Sequence, residues 1–250
     1  MQKVNVLGVK IDKVTIESAT DRICEMTKES GNHAIFTPNS EIVYLAYKDA
    51  EFCDILNSAD MLTADGIGVV YASKILKNPV SERAGGYDIA CRVIERIAES
   101  GERLYLFGGK PDVAEKAAEN LKEKYPFINI VGTRNGYFSP EENESIISGI
   151  NESGADIVFV CLGAPMQEKW IYNNRDKLNC HVMMGIGGSL DVFAGVAERA
   201  PIGWQKLGLE WLYRLFKEPK RFWRMLALPK FAFTVLINGK KYPQEEEADG

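Results

Sequence analysis

The sequence contains little of the residue types on which several common enzyme classes depend. It has two histidines, His33 and His181, each beside an apolar run, which argues against a histidine-based metal site or a Ser-His-Asp triad. Its five cysteines are scattered without paired or metal-type spacing, so we predict free thiols in a reducing cytoplasm. Neither G-x-G-x-x-G nor G-x-x-x-x-G-K-[ST] occurs, which disfavours an NAD enzyme and a P-loop NTPase.

Long apolar runs are also missing. No stretch of about 18 apolar residues occurs, and the most apolar late segment, 225–239, is interrupted by Pro229 and Lys230. The N-terminus lacks the apolar core of a signal peptide. Any membrane contact is therefore predicted to be peripheral. With 46% hydrophobic residues, the 250-residue chain has enough apolar material for one substantial core, with or without an appended module.

The charge of the chain is sharply divided. Between residues 200 and 241, nine Lys and Arg stand against two acidic residues, whereas residues 1–199 carry a net charge of −8. Three of the four tryptophans lie in the same late stretch. Such a segment is typical of a surface that meets a membrane face, a phosphorylated ligand or nucleic acid. Trp and Tyr favour lipid headgroups, so the membrane is preferred; a hairpin of helices docked on the core with solvated Lys and Arg is the alternative.

Short apolar runs alternate with longer helical patterns, which predicts an α/β fold with a Rossmann-like, largely parallel sheet flanked by helices. The opening residues predict an N-terminal β-hairpin. A helix is expected from about Ser18 to Gly31, and Ser40 is the predicted N-cap of the next helix. We expect two parts: an α/β domain over 1–195 and a C-terminal helical appendage, basic and aromatic, over 196–250.

Loops with small or polar residues follow five of the predicted strands. In open α/β sheets, ligands bind beyond the carboxyl ends of the strands, where glycine lets the backbone approach a diphosphate and helix N-termini favour negative charge. Taken singly, each glycine pair is equally typical of a turn. Together the loops predict a nucleotide-type ligand. They lie at 37–39, 64–66, 108–110, 163–168 and 187–191.

Eight ordered sequence blocks run through nearly the whole chain. They are T-P-N at 37–39, A-D-G-x-G-V-V at 64–70, E-R-x-x-G-x-D at 82–88, L-x-G-G-K-P at 106–111, G-Y-F at 136–138, L-G-A-P-x-Q-E-K-W at 162–170, G-x-G-G-S-x-D at 185–191, and R-A-P followed by L-E-W-L-Y-R-L and E-P-x-R. In these blocks the chain resembles the bacterial WecG/TagA/CpsF glycosyltransferases, and within them the TagA-type N-acetylmannosaminyltransferases of wall teichoic acid synthesis.

The resemblance implies an inverting transfer of N-acetylmannosamine from UDP-N-acetylmannosamine to N-acetylglucosamine linked through diphosphate to undecaprenol, which forms the teichoic acid linkage disaccharide. It places a cytoplasmic enzyme at the inner face of the cell membrane, with 1–195 binding the nucleotide sugar. Another UDP-hexose, such as the mannosaminuronic acid, is an alternative donor. A non-catalytic nucleotide-sugar-binding protein is an alternative function.

Asp65 is the predicted catalytic residue. An inverting transfer needs a carboxylate that takes the proton from the acceptor hydroxyl as it attacks the sugar. The residues alone favour Asp65 as the cap of a helix that begins at Ile67. Its place in the A-D-G block matches the family's proposed catalytic aspartate, and this reverses the preference.

Most of the other predicted substrate-binding residues lie in the same loops, and Arg83 lies in the 82–88 block. Thr37 and Asn39 offer hydrogen-bonding groups for sugar hydroxyls, although Pro38 and Asn39 also suit a plain turn. Gln167 suits a sugar or a nucleotide, or else a surface position in the first turn of a helix. For Asp191, ribose binding and helix capping stay open. The full predicted set is Thr37, Asn39, Arg83, Gly108, Gly109, Gln167, Gly187, Gly188 and Asp191.

Arginines are predicted to stabilise the departing diphosphate. The body of the chain has no Asp-x-Asp triad, so the sequence requires neither a metal nor a cofactor. Arg83 offers forked donors for a diphosphate, and Arg214, Arg221 and Arg224 are the expected donors for the acceptor or donor diphosphate and for the membrane. We expect the C-terminal segment to fold over the active site at the membrane.

The charge and the apolar residues of the chain also bear on its partners. Nucleic acid is disfavoured as a partner because the body is acidic and the isoelectric point is near 5.3. Apolar surface on the C-terminal segment, when no lipid is present, suits a second copy of the chain. We therefore consider a homo-oligomer off the membrane and a monomer on it.

Overall fold

The structure is a computed structural model that describes residues 1–217 and 219–244; the side chain of Arg221 lies outside that description. The described strands are β1 (Lys3–Val6), β2 (Val9–Asp12), β3 (His33–Phe36), β4 (Met61–Leu62), β5 (Arg103–Gly108), β6 (Asn129–Arg134), β7 (Ile157–Cys161) and β8 (Val182–Gly185).

The described α-helices alternate with these strands and then follow one another at the C-terminal end. They are α1 (Ile16–Met26), α2 (Ser40–Lys48), α3 (Ala50–Asn57), α4 (Ile67–Ile75), α5 (Gly86–Ser100), α6 (Val113–Lys124), α7 (Asn143–Ser153), α8 (Met166–Asn174), α9 (Ser189–Phe193), α10 (Ile202–Lys206), α11 (Glu210–Lys217), α12 (Phe222–Met225) and α13 (Ala227–Asn238). Short 3-10 turns lie at Pro140–Glu142, Arg175–Lys177, Pro219–Arg221 and Gly239–Lys241.

Six strands form one parallel sheet in the order β4-β3-β8-β7-β5-β6. β1 and β2 pair separately as an antiparallel hairpin. Alternate residues of β7 belong to two different cores: Val158 and Val160 to one, Ile157 and Phe159 to the other. This division is expected of a strand with helices on both faces of its sheet. The predicted α/β fold, the N-terminal hairpin and the C-terminal helices are confirmed.

Two predicted helix starts are wrong by one or two residues. α1 begins at Ile16 rather than Ser18, because Thr15 accepts a hydrogen bond from the Ser18 amide at 3.0 Å and caps the helix there. The N-cap of α2 is Asn39, not Ser40. Asn39 has extended backbone, and its Oδ1 accepts hydrogen bonds from the Glu41 and Ile42 amides at 3.0 and 3.1 Å.

The last long helix packs on the α/β body. α13 contacts α2 and α4, and its Phe231 and Val235 are buried in the same core as β7 residues Val158 and Val160. Other apolar side chains of the C-terminal segment remain exposed. They are Val196, Ile202, Leu207, Trp211, Phe216, Phe222, Trp223, Phe233, Leu236 and Ile237.

Candidate active site

A cavity of about 710 Å³ opens at the carboxyl edge of the parallel sheet. Loops that follow β3, β4, β5, β6, β7 and β8 all contribute to it, as expected where parallel strands end together. Most of the predicted site residues meet here although they are far apart in the chain. The cavity is lined by Thr37, Asn39, Asp65, Gly109, Gln167, Gly187, Gly188, Asp191, Arg214 and Arg224 from the predicted set.

A second cavity of about 600 Å³ lies beside the first, and its walls come from α4, α11 and α13. Much of its lining is apolar, including Ile67, Tyr71, Ile75, Trp211 and Leu228. Arg83 also lines this cavity. Six residues line both cavities: Asn39, Asp65, Tyr87, Arg199, Arg214 and Arg224. Asp65 therefore lies at the junction between a cavity built of strand-end loops and an apolar one.

Asp65 precedes α4 but does not cap it. Its amide donates to the carbonyls of Thr63 and Pro38, and Gly66, with φ of +91°, is the N-cap of α4. The Asp65 Oδ1 lies 3.6 Å from Arg83 Nη1. Burial raises the pKa of the Asp65 carboxyl, and the nearby charges of Arg83 and Arg214 oppose this increase. A raised pKa makes the ionised carboxylate a better proton acceptor.

Asp65 belongs to a cluster of three carboxylates and three arginines at the junction of the cavities. Arg83 contacts Asp88 at 2.5 Å, and Arg199 contacts Asp88 at 2.6 Å. Glu210, the first residue of α11, approaches Arg214 at 2.9 Å, Arg83 at 3.7 Å and Arg199 at 3.8 Å. We call Asp65, Asp88, Glu210, Arg83, Arg199 and Arg214 the charge cluster.

Arg199 and Tyr87 are site residues that the sequence reasoning missed. The Arg199 guanidinium lies over the Tyr87 ring, 4.7 Å from its centroid, and the Tyr87 ring stacks on Phe193 at 5.1 Å. Both residues stood inside the blocks that carry the resemblance, E-R-x-x-G-x-D and R-A-P. Membership of these blocks could have identified both residues as candidates. Their contact could not be predicted, because it joins segments more than a hundred residues apart.

Thr37 and Asn39 already have partners within the protein. Thr37 is buried, and its Oγ1 donates to the Gly185 carbonyl at 3.2 Å, which ties the end of β3 to the end of β8. The Asn39 Oδ1 caps α2 as described above. Both residues thus shape the cavity wall in addition to any contact with a sugar.

Gly108, the last residue of β5, and Gly109, the residue after it, differ in their surroundings. A Cβ added at Gly108 would lie 2.3 Å from the carbonyl oxygen of Cys161, so the neighbouring strand β7 requires glycine there. Gly109 comes next, lines the cavity and has φ of +73°. Only the second of the two positions therefore presents backbone to a ligand in the described cavity.

Gln167 is buried at the start of α8, and both polar atoms of its side chain are hydrogen-bonded. Its Oε1 accepts a hydrogen bond from the Gly187 amide at 3.0 Å, and its Nε2 donates to Glu168 Oε1 at 2.8 Å. The Gln167 amide thereby joins α8 to the loop after β8. The second Glu168 oxygen, Oε2, has no hydrogen-bond partner among the described residues, and burial raises the pKa of Glu168.

The Glu168→Gln variant should gain thermal stability relative to the wild type as pH rises. In the unfolded chain Glu168 ionises near its ordinary pKa, whereas the folded protein holds it protonated to higher pH. This mismatch weakens the folded state above the ordinary pKa, and the amide removes it. We expect the Tm difference between variant and wild type to grow as the pH is raised from about 4.5 to 7.5.

Calorimetry across this pH range measures that difference. The exposed Glu119→Gln variant is the matched control and should follow the wild type at every pH. A Tm difference for Glu168→Gln that stays constant with pH would show that Glu168 ionises normally in the folded protein.

Two of the three predicted arginines of the C-terminal segment lie at the cavities. Arg214 and Arg224 line both cavities, and Arg224 Nε donates to Glu41 Oε1 at 2.7 Å. The predicted role of Arg221 concerns a side chain outside the described residues. Asp191 lies in the first turn of α9 and lines the first cavity.

The helices and the possible metal-ligating side chains of the described residues bear on membrane and metal binding. Within 1–217 and 219–244, none of the helices combines the length and the apolar character that crossing a membrane requires. Over the same residues, His, Cys, Asp and Glu do not gather in groups of three or more with a metal-binding arrangement.

The fold and the site together define a parallel α/β protein with a ligand cavity at the carboxyl edge of its sheet. The model of the glycosyl transferase WecG/TagA/CpsF family matches residues 4–245, so the chain belongs to this family. The resemblance in the sequence blocks is thereby confirmed, and the chain is an enzyme of the glycosyltransferase class.

Two relatives carry the same functional name. An N-acetylglucosaminyldiphosphoundecaprenol N-acetyl-beta-D-mannosaminyltransferase from Bacillus subtilis (strain 168) is 39% identical over 217 residues, which cover 85% of this chain and 84% of that protein. The protein of the same name from Staphylococcus aureus (strain MW2) is 34% identical over 235 residues, covering 93% of this chain and 92% of the relative.

Proposed function

We propose that this chain is an inverting glycosyltransferase that moves N-acetylmannosamine from UDP-N-acetylmannosamine onto undecaprenyl-diphosphate-linked N-acetylglucosamine. The observation that carries the proposal is the junction of two unlike cavities at Asp65. The names of the relatives support the same transferred sugar and acceptor. The product is then the linkage disaccharide of teichoic acid.

The first cavity suits the nucleotide sugar. Its walls are strand-end loops, among them Gly109 and Gly187 with positive φ, which bring backbone close to a ligand. The N-terminus of α8 borders the same space and favours negative charge. Sugar hydroxyls would meet Thr37, Asn39 and Asp191 here.

The second cavity suits the lipid-linked acceptor. Its apolar walls from α4, α11 and α13 fit the first isoprene units, while its shared wall presents arginines to the acceptor diphosphate. The acceptor sugar then reaches Asp65 at the junction. An acceptor hydroxyl placed there can attack C1 of the donor sugar from the side opposite the departing UDP.

Proton transfer and charge neutralisation follow from the same geometry. Asp65 takes the proton of the acceptor hydroxyl as the new glycosidic bond forms and the bond between C1 and the UDP oxygen breaks. The negative charge that develops on the UDP diphosphate is met by arginine side chains at the junction, of which Arg199, Arg214 and Arg224 line both cavities. The protein thus supplies both the base and the counter-charge.

The test is acceptor-dependent release of UDP from the purified protein in detergent. We expect release with UDP-N-acetylmannosamine and lipid-diphosphate N-acetylglucosamine together, and none when the acceptor is omitted. Release with a different UDP-hexose instead, such as the mannosaminuronic acid, would replace the donor. A protein that binds UDP-sugars without turnover of any of them would be a nucleotide-sugar-binding protein.

We also propose that residues 196–250 act as a peripheral membrane appendage at the cytoplasmic face. Its residues 200–241 carry nine Lys and Arg against two acidic residues, and the segment exposes aromatic side chains; this combination binds anionic lipid headgroups. Off the membrane, a second copy of the chain would cover the same apolar surface.

The Trp223→Ser variant should bind vesicles that contain anionic lipid several-fold more weakly than the wild type. Trp223 is 77% exposed, so its indole is free to enter the headgroup layer. Vesicle flotation measures the bound fraction. Phe127→Ser is the matched control, because Phe127 is 86% exposed but belongs to the α/β body. Equal loss of binding in both variants would contradict a specific role for the appendage.

A further inference from the structure

Among the acidic residues that the structure describes, Glu210 lies on the C-terminal segment and reaches the arginines beside Asp65. Its side chain is 19% exposed although α11 lies near the surface. Its Oε1 lies 2.9 Å from Arg214 Nη2 and 3.8 Å from Arg199 Nε. Its Oε2 lies 3.7 Å from Arg83 Nη1. One carboxylate thus contacts all three arginines of the charge cluster.

Arg83 links Glu210 directly to the proposed base. The same nitrogen, Nη1, lies 3.6 Å from Asp65 Oδ1 and 3.7 Å from Glu210 Oε2. The other terminal nitrogen of Arg83 contacts Asp88 at 2.5 Å. Glu210 and Asp88 therefore take up much of the positive charge that would otherwise pair with Asp65.

The ionic balance of the cluster matters for proton transfer. Three carboxylates face three arginines, so the cluster is neutral as a whole when all six groups are charged. A carboxylate that is strongly paired with an arginine becomes a weak base, because the ion pair stabilises its ionised form. Asp65 avoids such strong pairing only while Glu210 and Asp88 are paired with the arginines.

We propose that Glu210 is a positioning residue that competes with Asp65 for Arg83 and Arg214 and so keeps Asp65 available as the proton acceptor. The proposal rests on the function proposed above, in which Asp65 is the base. It also involves the C-terminal segment in catalysis. Asp65 is a sufficiently strong base only when α11 packs against the α/β body and brings Glu210 to the arginines.

The direction of the effect follows from the groups that face Glu210 on every side. These are Arg83, Arg199 and Arg214 as cations and Asp65 and Asp88 as anions. Removing the negative charge of Glu210 leaves Arg83 and Arg214 free to pair with Asp65, and it removes a like charge from its neighbourhood. Both changes lower the pKa of Asp65.

The Glu210→Gln variant should therefore lose its activity at a lower pH than the wild type on the acid side of the kcat/KM profile. At pH values above the acid limb, the kcat of Glu210→Gln should be about 3- to 10-fold lower than that of the wild type, because a weaker base accepts the proton less readily. Glu210→Asp keeps the charge, so its acid limb should stay with the wild type even if kcat falls. Glu198→Gln, which removes an exposed partner of Lys217 in the same segment, should match the wild type throughout.

Titration of the Asp65 carboxyl in the full-length protein gives a reading that does not need turnover. We would follow the carboxyl carbon by NMR in wild type and Glu210→Gln, assigning its signal by its loss in Asp65→Asn. A lower pKa of Asp65 in Glu210→Gln is the expected result. An unchanged titration and acid limb, or equal shifts in Glu210→Gln and Glu210→Asp, would overturn the inference. Absence of turnover in the wild type would instead overturn the proposed function, and the NMR titration would still decide the role of Glu210.

Discussion

Asp65→Asn should lower kcat by about 10²- to 10⁴-fold, the usual contribution of a positioned general base. Asparagine has nearly the same shape but accepts no proton at neutral pH, so the acceptor hydroxyl would attack without losing its proton. The backbone contacts that hold residue 65 to Thr63 and Pro38 are retained by the variant. The fold and both cavities should therefore persist.

Binding of UDP separates this role from a structural one. The variant removes a negative charge beside an anionic ligand, so calorimetric affinity for UDP should be unchanged or higher. The exposed Asp176→Asn variant serves as the control and should keep full kcat. Substantial turnover by Asp65→Asn would assign the base to another group, whereas a parallel loss of UDP binding would assign Asp65 to binding.

The pH dependence of wild-type activity should reflect the ionisation of Asp65. Because burial raises the pKa of Asp65, activity should fall, as pH is lowered, at a higher pH than an ordinary aspartate would give. The ionised form is the active one, so the loss occurs on the acid side.

Arg214→Gln should lower kcat/KM by about 10²-fold, close to the effect of removing one preorganised donor from a developing negative charge. Arg214 lines both cavities, and its described partner within the protein is Glu210 on the same helix, one turn earlier. That pairing leaves most of a forked guanidinium to face a diphosphate. Arg214→Lys keeps the charge without the fork and should lose less.

Lys217→Gln on the same helix is the matched control for Arg214. Lys217 is more exposed and pairs with Glu198 at 3.3 Å, and its removal should leave kcat/KM near the wild-type value. Steady-state kinetics with acceptor and donor varied separately would show which diphosphate Arg214 contacts, through the KM that rises more. Wild-type kcat/KM in Arg214→Gln would remove this arginine from the mechanism.

Local sequence patterns were sufficient for the class of fold. Strand-length apolar runs such as 156–162 and 181–186 correspond closely to β7 and β8, because a strand buried on both faces must be apolar along its length. The end of each run also predicts where its strand ends. It therefore predicts which residues meet at the carboxyl edge of the sheet. Eight of the thirteen predicted site residues line the first cavity for this reason, while Arg214 and Arg224 reach it from the C-terminal helices.

The sequence alone did not distinguish between neighbouring residues that suit the same structural role. Asn39 and Ser40 are both good N-caps, and the choice of Asn39 depends on the extended backbone imposed where β3 ends. Likewise, Gly108 and Gly109 look alike in the sequence. Their difference arises from Cys161 on the adjacent strand, which lies more than fifty residues later.

The sequence by itself determined the parallel α/β architecture, the strand-end loops and Asp65 as the residue of interest, because each depends on local periodicity or on an ordered set of motifs. The tertiary structure alone decided the electrostatics of the site. Arg199 over Tyr87, Asp88 between two arginines and Glu210 beside Arg83 are contacts between distant segments. Interaction between charges depends on distance in space, and chain folding sets that distance without leaving a local pattern.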